Sequence, residues 1–253
     1  MFIISSIVTS IINLIYTNLY DFYFGSPSFR LGTPLLFLHS LRKLRPASRV
    51  LDFGCGNGIC YSNADVKKTV LTQGLQIVGI DIDVPYIERC KRRIDEEHLA
   101  ENVHIMLQDV FDYRLDSEIE RFDYILFSES APLLSNDLLI SMCRHMIEHL
   151  LKTDGKIIFI NNLTEDSGNA MRVIKPYLKY VTMVEFGRVL TSQDFFDIAK
   201  SVKKKATIKL IDKLRVREIL NFFRLEWMFL FFSMCFGITN YEVEQFEITL
   251  SNL

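Results

Sequence analysis

Val50-Leu51-Asp52-Phe53-Gly54-Cys55-Gly56-Asn57-Gly58 is a short apolar run that stops at a glycine cluster. Four residues are too few for a helix and end at once in glycine, so Val50 to Phe53 reads as a buried strand. Glycines at alternate positions let the backbone turn sharply and approach a ligand with no Cβ in the way. Residues 59–73 then carry a helical pattern that ends at Gly74. A strand–glycine–helix junction falls at the carboxyl edge of a parallel sheet, where open α/β folds bind ligands. The N-terminus of the following helix favours a negative group such as a carboxylate. Any tight turn also needs glycine, so the loop alone decides little.

Outward from this loop, strands and helices alternate at short intervals. Leu75 to Ile80 is a second apolar strand, closed by Asp81. Residues 84–98 predict a charged helix with Arg92–Glu96 and Arg93–Glu97 at i,i+4, read as a solvated face. Val103 to Leu107 is a third strand and Phe122 to Phe127 a fourth. Leu138 to Leu151 reads as a helix, Asp154-Gly155 as a turn, and Lys156 to Ile160 as a fifth strand. Thr191 to Val202 predicts a helix, with strands at Ala206 to Ile211 and Tyr241 to Leu250. The alternation predicts an α/β fold, a three-layer doubly wound sheet with helices on both faces. Residues 1–45 form an N-terminal cap, and 46–253 form the main domain with an apolar helical insertion at about 214–238.

Composition narrows the partners. A formal net charge of −2 provides no long-range attraction for nucleic acid, so no nucleic-acid partner is expected. The five cysteines are scattered and odd in number, which fits free thiols in a reducing, cytoplasmic setting. Residues 1–20 carry no charged side chain, and Ile4, Ile7, Val8, Ile11, Ile15 and Leu19 share one helical face. With neither a basic n-region nor a small-residue cleavage site, they read as an amphipathic helix rather than a secretory signal. It lies either on the protein's own core or, peripherally, on a membrane surface.

Three further features join the glycine loop at the same sheet edge. Asp81 stands where a carboxylate accepts both hydroxyls of a ribose, and Asp109 where an acid accepts from an adenine amino group. The fourth strand opens onto Ser128-Glu129-Ser130. Each acid alone reads equally well as a helix cap or a solvated side chain. In order, they outline an adenosine-shaped site. His145-Met146-Ile147-Glu148-His149 matches an inverted zinc-protease signature, but its place between the fourth and fifth strands favours a plain histidine pair, and no metal is expected.

The run from Val50 to about Ile160 resembles the core of class I S-adenosylmethionine-dependent methyltransferases. Val50 to Gly58 is similar to the family's first motif, and Val78-Gly79-Ile80-Asp81-Ile82-Asp83 to its second. Gln108-Asp109-Val110 is similar to the third. Phe122-Asp123-Tyr124-Ile125 and Leu150 to Lys156 resemble the fourth and fifth. The resemblance implies a seven-stranded sheet with an antiparallel last strand and S-adenosylmethionine as cofactor. It also implies that Asp52, Gly54 and Gly56 hold the methionine end, Asp81 the ribose, Ile82 an adenine face and Asp109 the adenine amino group. Cys55, Asn57, Gly58, Val110 and Ser128 complete the implied cofactor set. A nicotinamide dehydrogenase would need G-x-G-x-x-G, which the G-x-G-x-G spacing here does not meet.

Positioning the acceptor for in-line attack is the enzyme's main task, and Glu129 is the candidate general base if the acceptor arrives protonated. The fourth strand ends in Ser-Glu-Ser-Ala-Pro rather than Asn-or-Asp-Pro-Pro-aromatic, which argues against base or glutamine methylation. The apolar cap and insertion, with Trp227, Phe229, Phe231 and Phe232, favour a small-molecule or lipid-like acceptor. A protein acceptor and a non-turnover scaffold remain as alternatives.

Overall fold

The computed structural model describes residues 36–115, 117–128, 130–131, 134–163, 191–215 and 242–252. The segment 1–20, most of the insertion at 214–238, and Glu129 lie outside them. The elements in order are β1 (Arg49–Phe53), a 3-10 turn (Ile59–Ser62), α1 (Ala64–Gln73), β2 (Gln76–Asp81), α2 (Val84–Glu96) and β3 (Val103–Leu107). There follow β4 (Phe122–Ser128), α3 (Asn136–His145), a π-helical turn (Met146–Leu150), β5 (Leu151–Leu163), α4 (Ser192–Ser201), β6 (Lys205–Arg215) and β7 (Glu242–Ser251). One sheet carries the strands in the order β3-β2-β1-β4-β5-β7-β6. All neighbours from β3 to β5 pair parallel, and β7 runs antiparallel to both β5 and β6. The doubly wound sheet is therefore as the alternation predicts, and its antiparallel last strand as the resemblance implies.

Strand periodicity splits the core into two layers. Leu51, Ile125, Phe127, Ile157 and Phe159 point to one face, against α3 and α4. Their neighbours Val50, Tyr124, Leu126, Ile158 and Ile160 point to the other, against α1, α2 and residues 36–44. β4 is buried on both faces, as a central parallel strand must be. Residues 36–41 are helical, and the Ser40 hydroxyl and Lys43 ammonium both reach the buried Glu247 carboxylate on β7, each at 2.9 Å. That segment is thus tied into the core by charge as well as by burial.

Several expected boundaries differ. The helix predicted over 59–73 is broken at Asn63, whose side chain accepts from the Asp65 and Val66 amides. Such a cap needs extended backbone, here φ −79° and ψ 123°, so α1 starts afresh at Ala64. The helix predicted to Leu151 ends its α-helical part at His145 and closes with the π-helical turn, which delivers the chain directly into β5. The turn expected at Asp154-Gly155 is instead a bulge within β5. Phe122 pairs with Leu151 and Tyr124 with Lys156, so Lys152 to Gly155 stand opposite Asp123 alone. Asp123 gathers the Arg49 amide, the Lys152 ammonium and the Arg45 guanidinium, which fastens the extra residues in place.

Candidate functional site

The carboxyl ends of β1, β2, β3 and β4 bring the glycine loop, Asp81-Ile82, Asp109-Val110 and Ser128 to one edge. Gly54, Gly56 and Gly58 all have positive φ, at 68°, 54° and 70°. The amides of Gly54 and Cys55 both donate to the Ile80 carbonyl, at 2.9 and 3.2 Å, which clamps the loop to the end of β2. The three glycines then serve different ends. A Cβ on Gly54 would stand 2.8 Å from the Ser130 Cβ, and one on Gly58 2.4 Å from the Cys90 sulfur. At Gly56 no atom of the described residues, its chain neighbours aside, lies within 4 Å of that position. Of these three, Gly56 alone turns its bare face to space that no described residue fills.

Asp81 is held by both oxygens. Oδ2 accepts from the Gly56 amide and Oδ1 from the Asp83 amide, each at 3.0 Å. A carboxylate oxygen has two lone-pair directions, so each retains one for a ligand. Asp52 is buried and accepts from the Tyr61 hydroxyl at 2.7 Å through Oδ2. Its Oδ1 is buried without a hydrogen-bond partner among the described residues, as is the Ser128 hydroxyl. A buried acceptor left unmatched costs free energy, which a cationic ligand would recover. Burial pushes the Asp52 carboxyl up to about 6; Tyr61 opposes the rise and the charge of Asp81 adds to it.

Ile82 is 74 % exposed beside Asp81, an apolar side chain offered at the sheet edge. Asp109 is exposed and accepts from the Phe111 amide at 2.9 Å, while Val110 is buried behind it. Asn57 uses its side-chain oxygen on the Ile59 amide at 3.1 Å, so that oxygen is already engaged in shaping the loop. Cys55 is flanked by the Cys90 thiol, and that neighbour together with burial pushes its thiol well up.

Three supports of this site carry no local signal in the sequence. Tyr61 holds Asp52, Ser130 donates to the Phe53 carbonyl at 3.0 Å, and Arg93 donates to the Asn57 carbonyl at 2.6 Å. Arg93 therefore braces the loop from α2 rather than merely facing water as the charge pattern suggests. His145 and His149 do come together, ring centroids 4.8 Å apart, but the His145 ring also lies 5.4 Å from Phe111. Among the described residues no three His, Cys, Asp or Glu side chains group to hold a metal.

A sequence model described as a methyltransferase domain matches residues 44–222. The chain belongs to the class I S-adenosylmethionine-dependent methyltransferases. Over 76 residues this methyltransferase is 28% identical to carboxy-S-adenosyl-L-methionine synthase of Yersinia enterocolitica, a stretch covering 30% of the chain and 28% of that protein. The match to such curated relatives thus spans less than a third of their length. In structure it is similar to the YcgJ protein of Bacillus subtilis, at a TM-score of 0.57 and 14% identity, covering 87% of this chain and 98% of that one. It is also similar to geranyl diphosphate C-methyltransferase of Streptomyces coelicolor, solved with Mg2+, geranyl diphosphate and S-adenosyl-L-homocysteine. There the TM-score is 0.56 and identity 12%, over 86% of this chain and 77% of that one. These likenesses support the fold, and S-adenosylmethionine is the family's cofactor.

The residues of this methyltransferase fit that cofactor. The open face of Gly56, the unmatched Asp52 Oδ1 and the two outward lone pairs of Asp81 supply room, a negative partner and a pair of acceptors.

The raised pKa of Asp52 predicts a pH dependence. Its usual value is 3.8 and its folded value about 6, so the folded state binds the extra proton between them. The contribution of Asp52 to stability therefore falls as pH rises from about 4 to about 6, by roughly 3 kcal/mol, and is flat above. In Asp52→Asn, which keeps an oxygen for Tyr61, that fall should vanish. Urea denaturation of both proteins at pH 4, 5, 6 and 7 measures the difference; parallel curves would contradict it.

Proposed function

We propose that the chain transfers a methyl group from S-adenosylmethionine to a small-molecule or lipid-like acceptor. The observation that carries the donor half is the Asp81 carboxylate, anchored through both oxygens by the Gly56 and Asp83 amides next to the open face of Gly56. When bound, S-adenosylmethionine supplies a methyl group on a sulfonium that is already a good leaving group. Asp81 then accepts from the ribose hydroxyls, and Ile82 covers an adenine face. Asp109 accepts from the adenine amino group, with Val110 shaping the same pocket. Asp52, ionised above pH 6, takes the ammonium of the methionine end, which the backbone at Gly54 and Gly56 approaches. Ser128 offers a hydroxyl where the donor meets the acceptor. Orientation for in-line attack is the chief contribution to rate, with Glu129 as general base toward a protonated acceptor.

The acceptor half rests on the apolar sequence of the cap and of the insertion. The fold of the geranyl diphosphate C-methyltransferase accommodates a prenyl diphosphate in that protein, in keeping with an apolar acceptor here. Calorimetry tests the donor: S-adenosylmethionine and S-adenosylhomocysteine should bind and NAD should not. Binding of NAD alone would overturn the assignment. Tritiated methyl transfer to separated lipid, small-molecule and protein fractions tests the acceptor, and label confined to protein would contradict it.

Among the described residues no helix is long and apolar enough to cross a membrane. We place the protein in the cytoplasm with residues 1–20 at a membrane surface. Each large apolar side chain buried there contributes roughly 1.5–3 kcal/mol, and the segment has no Lys or Arg to add salt dependence. Deleting residues 1–20 should leave S-adenosylhomocysteine affinity unchanged and abolish co-sedimentation with liposomes. Full-length protein that ignores liposomes, or a truncated one that unfolds, makes the helix structural.

A further inference from the structure

Between β3 and β4 the chain crosses from the carboxyl edge of the sheet to the amino edge, and there it borders a cavity of about 300 Å3. Arg121 stands directly before β4 and Leu150 directly before β5, so the cavity lies at the strand starts, across the sheet from the glycine loop. Its size is at the small end of ligand sites. The floor is apolar: Tyr113 and Leu150 are buried and Leu115 half-buried. Around the floor stand Arg114, Arg121, His149 and the Ser117 hydroxyl, against one carboxylate, Glu118, among the described residues.

Both guanidiniums are braced by backbone. Arg114 Nη1 donates to the Phe111 and Tyr113 carbonyls at 2.6 and 3.0 Å, and Arg121 Nη1 to the Leu151 carbonyl at 3.3 Å. A guanidinium carries five N–H groups in a flat fork, so such a brace fixes its plane without exhausting its donors. Glu118 approaches Arg121 at 3.5 Å, but its side chain is 88% exposed. An ion pair so wet contributes little, and a ligand can take its place. Oriented forks beside an imidazole and a hydroxyl suit a phosphate group, whose oxygens accept parallel hydrogen bonds from a guanidinium. We propose that this cavity binds the phosphate group of a small phosphorylated compound, and that its occupation tightens the donor site.

The compound is an effector and not the methyl acceptor, because the sheet separates the cavity from the glycine loop. One turn links the two places. Arg114 holds the Phe111 carbonyl, and the Phe111 amide donates to Asp109 at 2.9 Å. On the other side His149 lies against His145, ring centroids 4.8 Å apart, and His145 against Phe111 at 5.4 Å. A phosphate that fixes Arg114 and His149 therefore fixes the turn that presents Asp109. A turn already ordered costs less to hold when the donor arrives, so affinity rises. The coupling rests on the proposed donor site; the phosphate site does not.

Calorimetry on the full-length protein tests both halves, using glycerol 3-phosphate, inorganic phosphate and, as the uncharged control, glycerol, all at one ionic strength. Glycerol 3-phosphate should bind one to one and glycerol not at all. Inorganic phosphate should bind more weakly than the ester; equal affinity would make free phosphate the ligand of the same site. Arg114 is exposed, so Arg114→Gln should melt with the parent yet bind glycerol 3-phosphate roughly tenfold more weakly, while Arg92→Gln on the exposed face of α2 changes nothing. Arg121→Gln gives a second reading should the first variant fail to fold. Saturating glycerol 3-phosphate should lower the Kd of S-adenosylhomocysteine by roughly threefold or more, and the reverse titration should return the same factor. No binding of either phosphate, or binding that Arg114→Gln and Arg92→Gln weaken alike, would overturn the site. An unmoved S-adenosylhomocysteine affinity would overturn the effector role. Protein that binds glycerol 3-phosphate but no S-adenosylhomocysteine would instead defeat the donor-site proposal and leave the cavity's assignment standing.

Discussion

Asp81→Ala should weaken S-adenosylhomocysteine binding at least tenfold while the protein stays folded. Asp81 sits half-buried at the sheet edge, so its loss opens no core cavity. What it removes is directional. Two backbone amides, of Gly56 and Asp83, lose their acceptor, and in the proposed donor site two ribose hydroxyls would lose theirs. Hydrogen bonds to a charged group contribute roughly 1.5–3 kcal/mol each, and about 1.4 kcal/mol is a factor of ten in Kd. Asp81→Asn should fall between the two, since it keeps one oxygen but loses the charge and presents an amide to a donor. Calorimetry gives both numbers. A folded Asp81→Ala that binds as tightly as the parent means the ribose is held elsewhere.

Gly58→Ala should cost more in stability than any other single methyl added to the loop. The position has φ +70°, in the left-handed region, which an alanine occupies at a cost of about 1 kcal/mol. Its new Cβ would also stand 2.4 Å from the Cys90 sulfur, with the Cys90 backbone 3.4 Å behind. Overpacking of that kind costs roughly 1–3 kcal/mol. Together they come to about 2–4 kcal/mol, or a melting temperature lower by roughly 4–16 °C for a domain of this size. Gly56→Ala carries the backbone strain alone, because its Cβ meets nothing, and should melt only a few degrees below the parent. Combining Gly58→Ala with Cys90→Ala should recover much of the loss, since the two share one contact. Equal melting temperatures for Gly56→Ala and Gly58→Ala would mean that α2 yields freely.

The glycine loop illustrates how much of the site was legible. The spacing of Gly54, Gly56 and Gly58 was enough to place a tight loop at the carboxyl edge of the sheet, and Asp81 at a strand end was enough to bring a carboxylate beside it. That the three glycines have three different neighbours was not legible. Ser130, open space and Cys90 come from separate elements, brought to the loop only by the stacking of β4 and α2 on β1. Arg93 is similar. Its i,i+4 partner suggested a solvated helix face, yet the side chain crosses to the Asn57 carbonyl, because α2 lies against the loop in space and not in sequence.

Local pattern by itself determined the alternation of strands and helices, the doubly wound class and the edge at which the glycine loop and Asp81 meet. Those features repeat at the period of the backbone, two residues for a strand and about 3.6 for a helix, so a run of a few residues encodes them. The tertiary structure alone decided where elements break and which acids are primed. Asn63 ends one helix because its side chain caps the next, and Asp123 draws Lys152 to Gly155 into a bulge through three partners distant in sequence. Asp52 is raised to about 6 because packing removes it from water and leaves it Tyr61 alone on one oxygen. Desolvation depends on everything that surrounds a group, and no stretch of chain carries that information until the layers close around it.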